Sequence, residues 1–97
     1  MSHKRNLIVQ VKETKGQCPV YRAGDSFQIT EGFILKATVP ICLHSLASLM
    51  PYYVALSSGV GPVYLRLARE GESAFVQCLD PCELTGGGTV IFEIKPE

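Results

Sequence analysis

The chain has 97 residues, of which 46% are hydrophobic and 19% charged, with nine Lys/Arg set against nine Asp/Glu. A domain of this size buries roughly 60–65% of its unfolded surface and folds without staples, so the composition excludes intrinsic disorder. Zero net charge excludes the strongly basic footprint of a nucleic-acid binder.

Met1 to Asn6 is a polar, basic lead-in and is expected to fray. In residues 6–13, Leu7, Val9 and Val11 alternate with Ile8, Gln10 and Lys12, the period of a half-buried strand. Thr14 to Ala23 reads as a loop containing Gly16, Cys18 and Pro19, and Gly24-Asp25 marks a turn. Phe27 and Ile29 alternate with Ser26, Gln28 and Thr30, a second strand. Glu31-Gly32 closes a tight hairpin into a third strand over 33–38.

Ile41 to Gly59 is the longest apolar-periodic run and the one clear helix signal. Wound at the helical period, Cys42, Leu46, Leu49, Met50, Tyr53 and Leu56 form a broad apolar face. His44, Ser48, Pro51, Ala55 and Ser58 fall on the opposite stripe. Pro40 suits the first helical position, and Gly59 suits the stop. Pro51 removes a hydrogen bond and crowds the preceding turn, so the helix over 41–58 kinks or breaks into 41–49 and 51–57.

Val63, Leu65 and Leu67 alternate with Tyr64, Arg66 and Ala68, which predicts a strand, although YLRLARE also suits a helical turn or two. Ala74 to Leu79 is the next strand. Asp80 to Thr89 is a loop with a triple glycine, and Val90, Phe92 and Ile94 mark the last strand. The sum is a single α+β domain, 1–97: a mostly antiparallel sheet, curling towards a partial barrel, covered by one kinked or broken helix. Residues 1–69 carry net +5 and residues 70–97 net −5, a division that favours contacts within the domain.

The N-terminal MSHKRNLIVQV lacks the apolar core of a secretory signal. His44, Ser45, Ser48 and Pro51 interrupt the only candidate membrane span. A cytoplasmic protein is expected, and its cysteines are then thiols, ligands or packed residues rather than disulfides.

Those cysteines are Cys18, Cys42, Cys78 and Cys82. They stand in a loop, at a helix start and at a strand end, where ligands gather in a small fold. Tetrathiolate binding of zinc or of an iron–sulfur cluster follows as one expectation, since soft thiolates select such metals. The CLDPC pair has three intervening residues where a zinc knuckle usually has two, and the pair is not repeated. Against the metal stands the commoner fate of free cysteine, which packs as a small hydrophobe. His44 is the one histidine inside the fold, and a Cys–His nucleophile pair needs hydrogen-bond reach. Helical geometry points Cys42 away from it. Asp25, Asp80 and Glu83 read as turn residues. Gly86-Gly87-Gly88 lacks the Lys-Ser/Thr of a phosphate loop.

The segments CPVYRAGDSFQI (18–29), ICLHSLASLMPYYVALSSG (41–59) and CLDPCELTGGGTVIFEI (78–94) together resemble a family of small cysteine-containing proteins of about this length, common in anaerobic bacteria and archaea. Its pattern runs Cys-Pro, a Gly-Asp turn, a Cys before a leucine-rich helix ending in Pro-Tyr, a Cys before Asp-Pro, and a terminal apolar strand. Cys18, Cys42 and Cys78 sit at the motif positions, Cys82 stands outside them, and residues 60–75 depart from the pattern. The resemblance implies three cysteines acting together and carries no activity. Three functions compete: a cysteine-ligated metal or iron–sulfur accessory protein, a non-catalytic binding or assembly module with structural cysteines, and a thiol-dependent enzyme. A protein partner or homo-oligomer is compatible with the sequence; nucleic acid and membrane are not expected.

Overall fold

The computed structural model describes residues 4–97; residues 1–3 of the expected basic lead-in lie outside the described residues. Five strands form one antiparallel sheet: β1 (Leu7–Gly16), β2 (Ser26–Thr30), β3 (Ile34–Lys36), β4 (Ala74–Gln77) and β5 (Gly88–Pro96). Two short helices, α1 (Leu43–Leu49) and α2 (Tyr53–Ser57), lie between β3 and β4 in the chain. The sheet order is β3-β2-β1-β5-β4. β3 and β4 are therefore opposite edges, and the sheet stays open instead of curling into the expected partial barrel.

The alternating residues dictate the core. Leu7, Val9 and Val11 of β1 and Val90, Phe92 and Ile94 of β5 point to one face and are almost fully buried. Val9 pairs with Ile94 and Val11 with Phe92, so large apolar side chains meet across the strands. A bulge follows at Lys12, where Val11 opposes Phe92 but Glu13 opposes Ile91. Phe27 and Tyr21 close edge-on against Phe92, with ring centroids 6.2 and 5.4 Å away.

The helix breaks at Pro51 as its ring geometry requires. α1 ends at Leu49, Met50 still donates to the Leu46 carbonyl, and the chain turns through Pro51 and Tyr52 into α2. The expected start at Pro40 is too early: Cys42 caps α1 in an extended conformation (φ −81°, ψ 128°). The buried side also differs from the expected stripe. Ser45 and Ser48 are buried with Leu49, while Met50, expected on the apolar face, is 59% exposed. Small hydroxyl side chains let α1 approach the sheet closely, and Ser48 Oγ donates to the Gln77 carbonyl at 2.6 Å.

Residues 63–68 form no strand. Leu65, Arg66 and Leu67 donate to Gly61, Val63 and Pro62, consecutive turns like the helical alternative, with Arg66 left-handed (φ 63°). A single bond, Phe75 N–H to the Leu67 carbonyl, lays this segment along β4. The third strand is shorter than 33–38 because Glu31 and Gly32 are both left-handed and Phe33 donates back to Thr30, which spends Phe33 in the turn. Residues 4–6 are held, contrary to the expected fraying. Arg5 N–H donates to the Ser57 carbonyl at 2.7 Å, and the Glu31 N–H donates to Asn6 Oδ1 at 3.0 Å.

Candidate functional site

Tyr21 organises the surroundings of two cysteines. It is 3% exposed, and its hydroxyl lies 2.7 Å from Ser45 Oγ and accepts from the Cys42 N–H at 3.0 Å. Ser45 Oγ spends its one proton on the Cys42 carbonyl at 2.7 Å. Tyr21 must then donate to Ser45, and the three groups close a cycle that fixes the start of α1 to the connection between β1 and β2. Burial pushes the Tyr21 hydroxyl above its ordinary pKa, partly offset by the hydrogen bonds of Ser45 and Cys42. The neighbouring Cys42 and Cys18 add smaller upward pushes. Cys18 Sγ accepts the Tyr21 N–H at 3.3 Å, capping the turn that delivers the ring.

The other two cysteines have different neighbours. Cys78 continues the core-facing side of β4 beyond Val76, and its carbonyl accepts from Thr89 Oγ1 at 3.1 Å. Cys82 has left-handed φ (51°), and its thiol lies 3.5 Å from the Gly87 carbonyl and 3.7 Å from the Lys15 carbonyl. Cys18, Cys42 and Cys78 pack against the hydrophobic core. All four thiols are free and half-buried. Among the described residues, no three His, Cys, Asp or Glu side chains are grouped as the ligands of a metal ion.

His44 is exposed on α1 and faces the 80–87 loop across an open recess of about 330 Å³, lined by Leu43, Ala47, Leu79, Asp80 and Thr85. Asp80 is an Asx-type loop organiser. Its Oδ1 accepts the Thr85 hydroxyl at 2.5 Å and the Cys82 N–H at 2.8 Å. Thr85 first, then Cys82, holds its carboxyl below the usual range, and the His44 charge adds to this. Asp80 thus keeps the turn role its sequence context predicts. The sulfur hydrogen bonds formed by Cys18 and Cys82 go to backbone groups rather than to His44.

Away from the cysteines and His44 the molecule carries an apolar recess. Between the β2–β3 hairpin and the helices lies a recess of about 230 Å³, lined by Ile29, Phe33, Leu35, Leu46, Leu49, Met50 and Tyr53. Ile29 and Leu35 are register partners, so both side chains look to the helix side of the sheet. The helices leave this end of the sheet uncovered. Phe33 on the rim is 74% exposed, Met50 59% and Leu35 43%. None of the lining residues is charged. The signal available beforehand was the Phe33/Leu35 alternation in a strand beside a turn; that the helices would stop short of it was a matter of tertiary packing.

Comparison of the chain with protein-family models, with curated proteins and with solved structures finds no match. Among the described residues, no helix is long and apolar enough to cross a membrane.

Proposed function

We propose that this protein is a non-catalytic docking module whose working surface is the apolar recess beside β3, and whose cysteines serve the fold. The observation that carries the reading is Phe33, a large apolar side chain held in the open on the rim of an uncharged recess. Contiguous exposed apolar surface of this kind marks interaction sites, and leaving it wet costs stability that a bound partner recovers. The thiols support the reading because three pack on the core and the fourth lies against two carbonyls.

A photo-crosslinking residue placed at position 33, and separately at Lys95 on β5, tests it in cells. A discrete adduct from position 33 alone is expected. Equal labelling from both positions, or none from either in a protein that stays monomeric, overturns the reading. Cys18→Ser combined with Cys78→Ser is expected to keep the adduct in a folded protein.

The cysteine-ligated zinc or iron–sulfur reading stands second, supported by the placing of Cys18 and Cys42 around one tyrosine. It requires Cys78 or Cys82 to move in as further ligands. Metal analysis and an absorption spectrum of anaerobically purified protein test it, and a colourless, metal-free, folded sample ends it.

A further inference from the structure

Resting on the docking reading, we infer that the occupant of the apolar recess is a second copy of this chain, seated by a two-fold axis that places each Phe33 in the other's recess. Three features lead to this partner. The recess, about 230 Å³, is smaller than the ~300–1,000 Å³ typical of small-molecule sites, and its scale is that of a side chain. Its own rim supplies that side chain: Phe33 is 74% exposed and borders the hole on the same face. A knob beside a hole on one surface is what an isologous interface needs, since the same patch meets itself.

The second feature is charge. A two-fold contact brings residues beside the axis near their own copies, so like charges there oppose it. The seven lining residues carry none, α1 and α2 contain no Asp, Glu, Lys or Arg, and His44 of α1 lines the separate recess beside Asp80. Lys36, at the end of β3, is set along the edge from Phe33 rather than in the recess.

The third is area. From their exposures, Phe33, Leu35 and Met50 with part of Tyr53 offer about 350 Å² of apolar surface per protomer. One half of a standard interface buries ~800 Å², a little over half of it apolar, or roughly 450 Å². The patch comes close to this value without reaching it. Interfaces below the standard size sit at the weak, transient end, so a weak dimer is expected. The outer edge of β3, unpaired among the described residues, lies beside the patch and offers backbone groups to its copy.

Sedimentation equilibrium of the whole 97-residue chain, from ~1 μM to ~1 mM, tests the inference. The expected result is a concentration-dependent rise from 10.6 kDa towards twice that mass. Phe33→Asp is expected to weaken dimerisation by at least ~30-fold, the size of an interface hot spot. Tyr64→Asp, at an 84% exposed site outside the recess, is expected to leave it unchanged. Met50→Gln provides a second, milder probe of the same face. A monomer throughout the range overturns the dimer, as does a dimer indifferent to Phe33→Asp and Met50→Gln. The docking reading fails separately: an adduct from position 33 to a different protein retains it and refutes only the second copy, whereas no adduct and no dimer refute both.

Discussion

The hydrogen-bond cycle of Tyr21, Ser45 and Cys42 makes a prediction that one denaturation series can settle. Tyr21→Phe keeps the ring in its edge-on contact with Phe92, 5.4 Å between centroids, and removes only the hydroxyl. The Cys42 N–H then loses its acceptor, and Ser45 Oγ loses its donor. An unsatisfied buried donor costs ~1–3 kcal/mol, and the half-buried position of Cys42 allows some rewetting, so about 2 kcal/mol is expected. For a domain of this length that is a fall in Tm of about 10 °C. Ser45→Ala is milder, about 1 kcal/mol, because the Cys42 carbonyl still receives the Leu46 N–H at 3.3 Å. Once the Tyr21 hydroxyl is gone, removing Ser45 gives up only its bond to that carbonyl. The double variant should therefore lose about 2 kcal/mol rather than about 3, a coupling of ~1 kcal/mol. Urea unfolding of wild type, both singles and the double measures all four corners. A Tyr21→Phe cost below ~0.5 kcal/mol, or single costs that add within ~0.3 kcal/mol, would show that the cycle does not act as a unit.

Alkali should unfold the protein through the same residue. Tyr21 is protonated in both states below the ordinary tyrosine pKa of ~10, and stability falls as pH rises from there through its raised folded value. In a 295 nm titration, one of the four tyrosines should ionise late and together with unfolding, and Tyr21→Phe should abolish that step. Asp80 works in the opposite direction. Its contribution is present above ~3.9 and is lost as pH falls through its depressed value, so faster amide exchange at Cys82 and Gly87 should begin only in strong acid. Gly88→Ala should cost about 2–3 kcal/mol or more, since a Cβ there collides with the Cys18 backbone. Gly61→Ala, which faces open space, should stay within ~0.5 kcal/mol by the same assay, and equal costs at the two sites would contradict the packing described.

Much of the sheet was legible because its physics is local. Leu7-Val9-Val11 and Val90-Phe92-Ile94 alternate at the strand period, and these six side chains became the centre of the core. The break at Pro51 was equally readable, because a ring without an N–H acts on its own helix. The alternation at 63–68 misled: Leu65 and Leu67 are half-buried as a strand would make them, yet i→i+3 and longer bonds satisfy the backbone instead. Ser48 misled in the other direction. A serine on the polar stripe looks solvated, and only the nearby Gln77 carbonyl makes its burial affordable. The places of the cysteines, in a loop, at a helix start and at a strand end, were legible, but the packing of Cys18 and Cys78 on the core was not. Which of them share neighbours depends on the fold, which sets Cys18 and Cys42 around Tyr21 and gives Cys78 and Cys82 other partners. The apolar recess was hidden for the same reason, since it is defined by where α1 and α2 stop.

The placing of β1 between β2 and β5 sets the order in which the molecule can assemble. The β1-β2-β3 meander needs only the first third of the chain and can pair as soon as those residues are free. β1 meets its other neighbour across about eighty residues of sequence, and that neighbour is the final strand. On a ribosome, Val9 and Val11 must wait for Phe92 and Ile94 to leave the exit tunnel before their side of the sheet is closed. The slow, non-local step of folding therefore has to wait until β5 has been made.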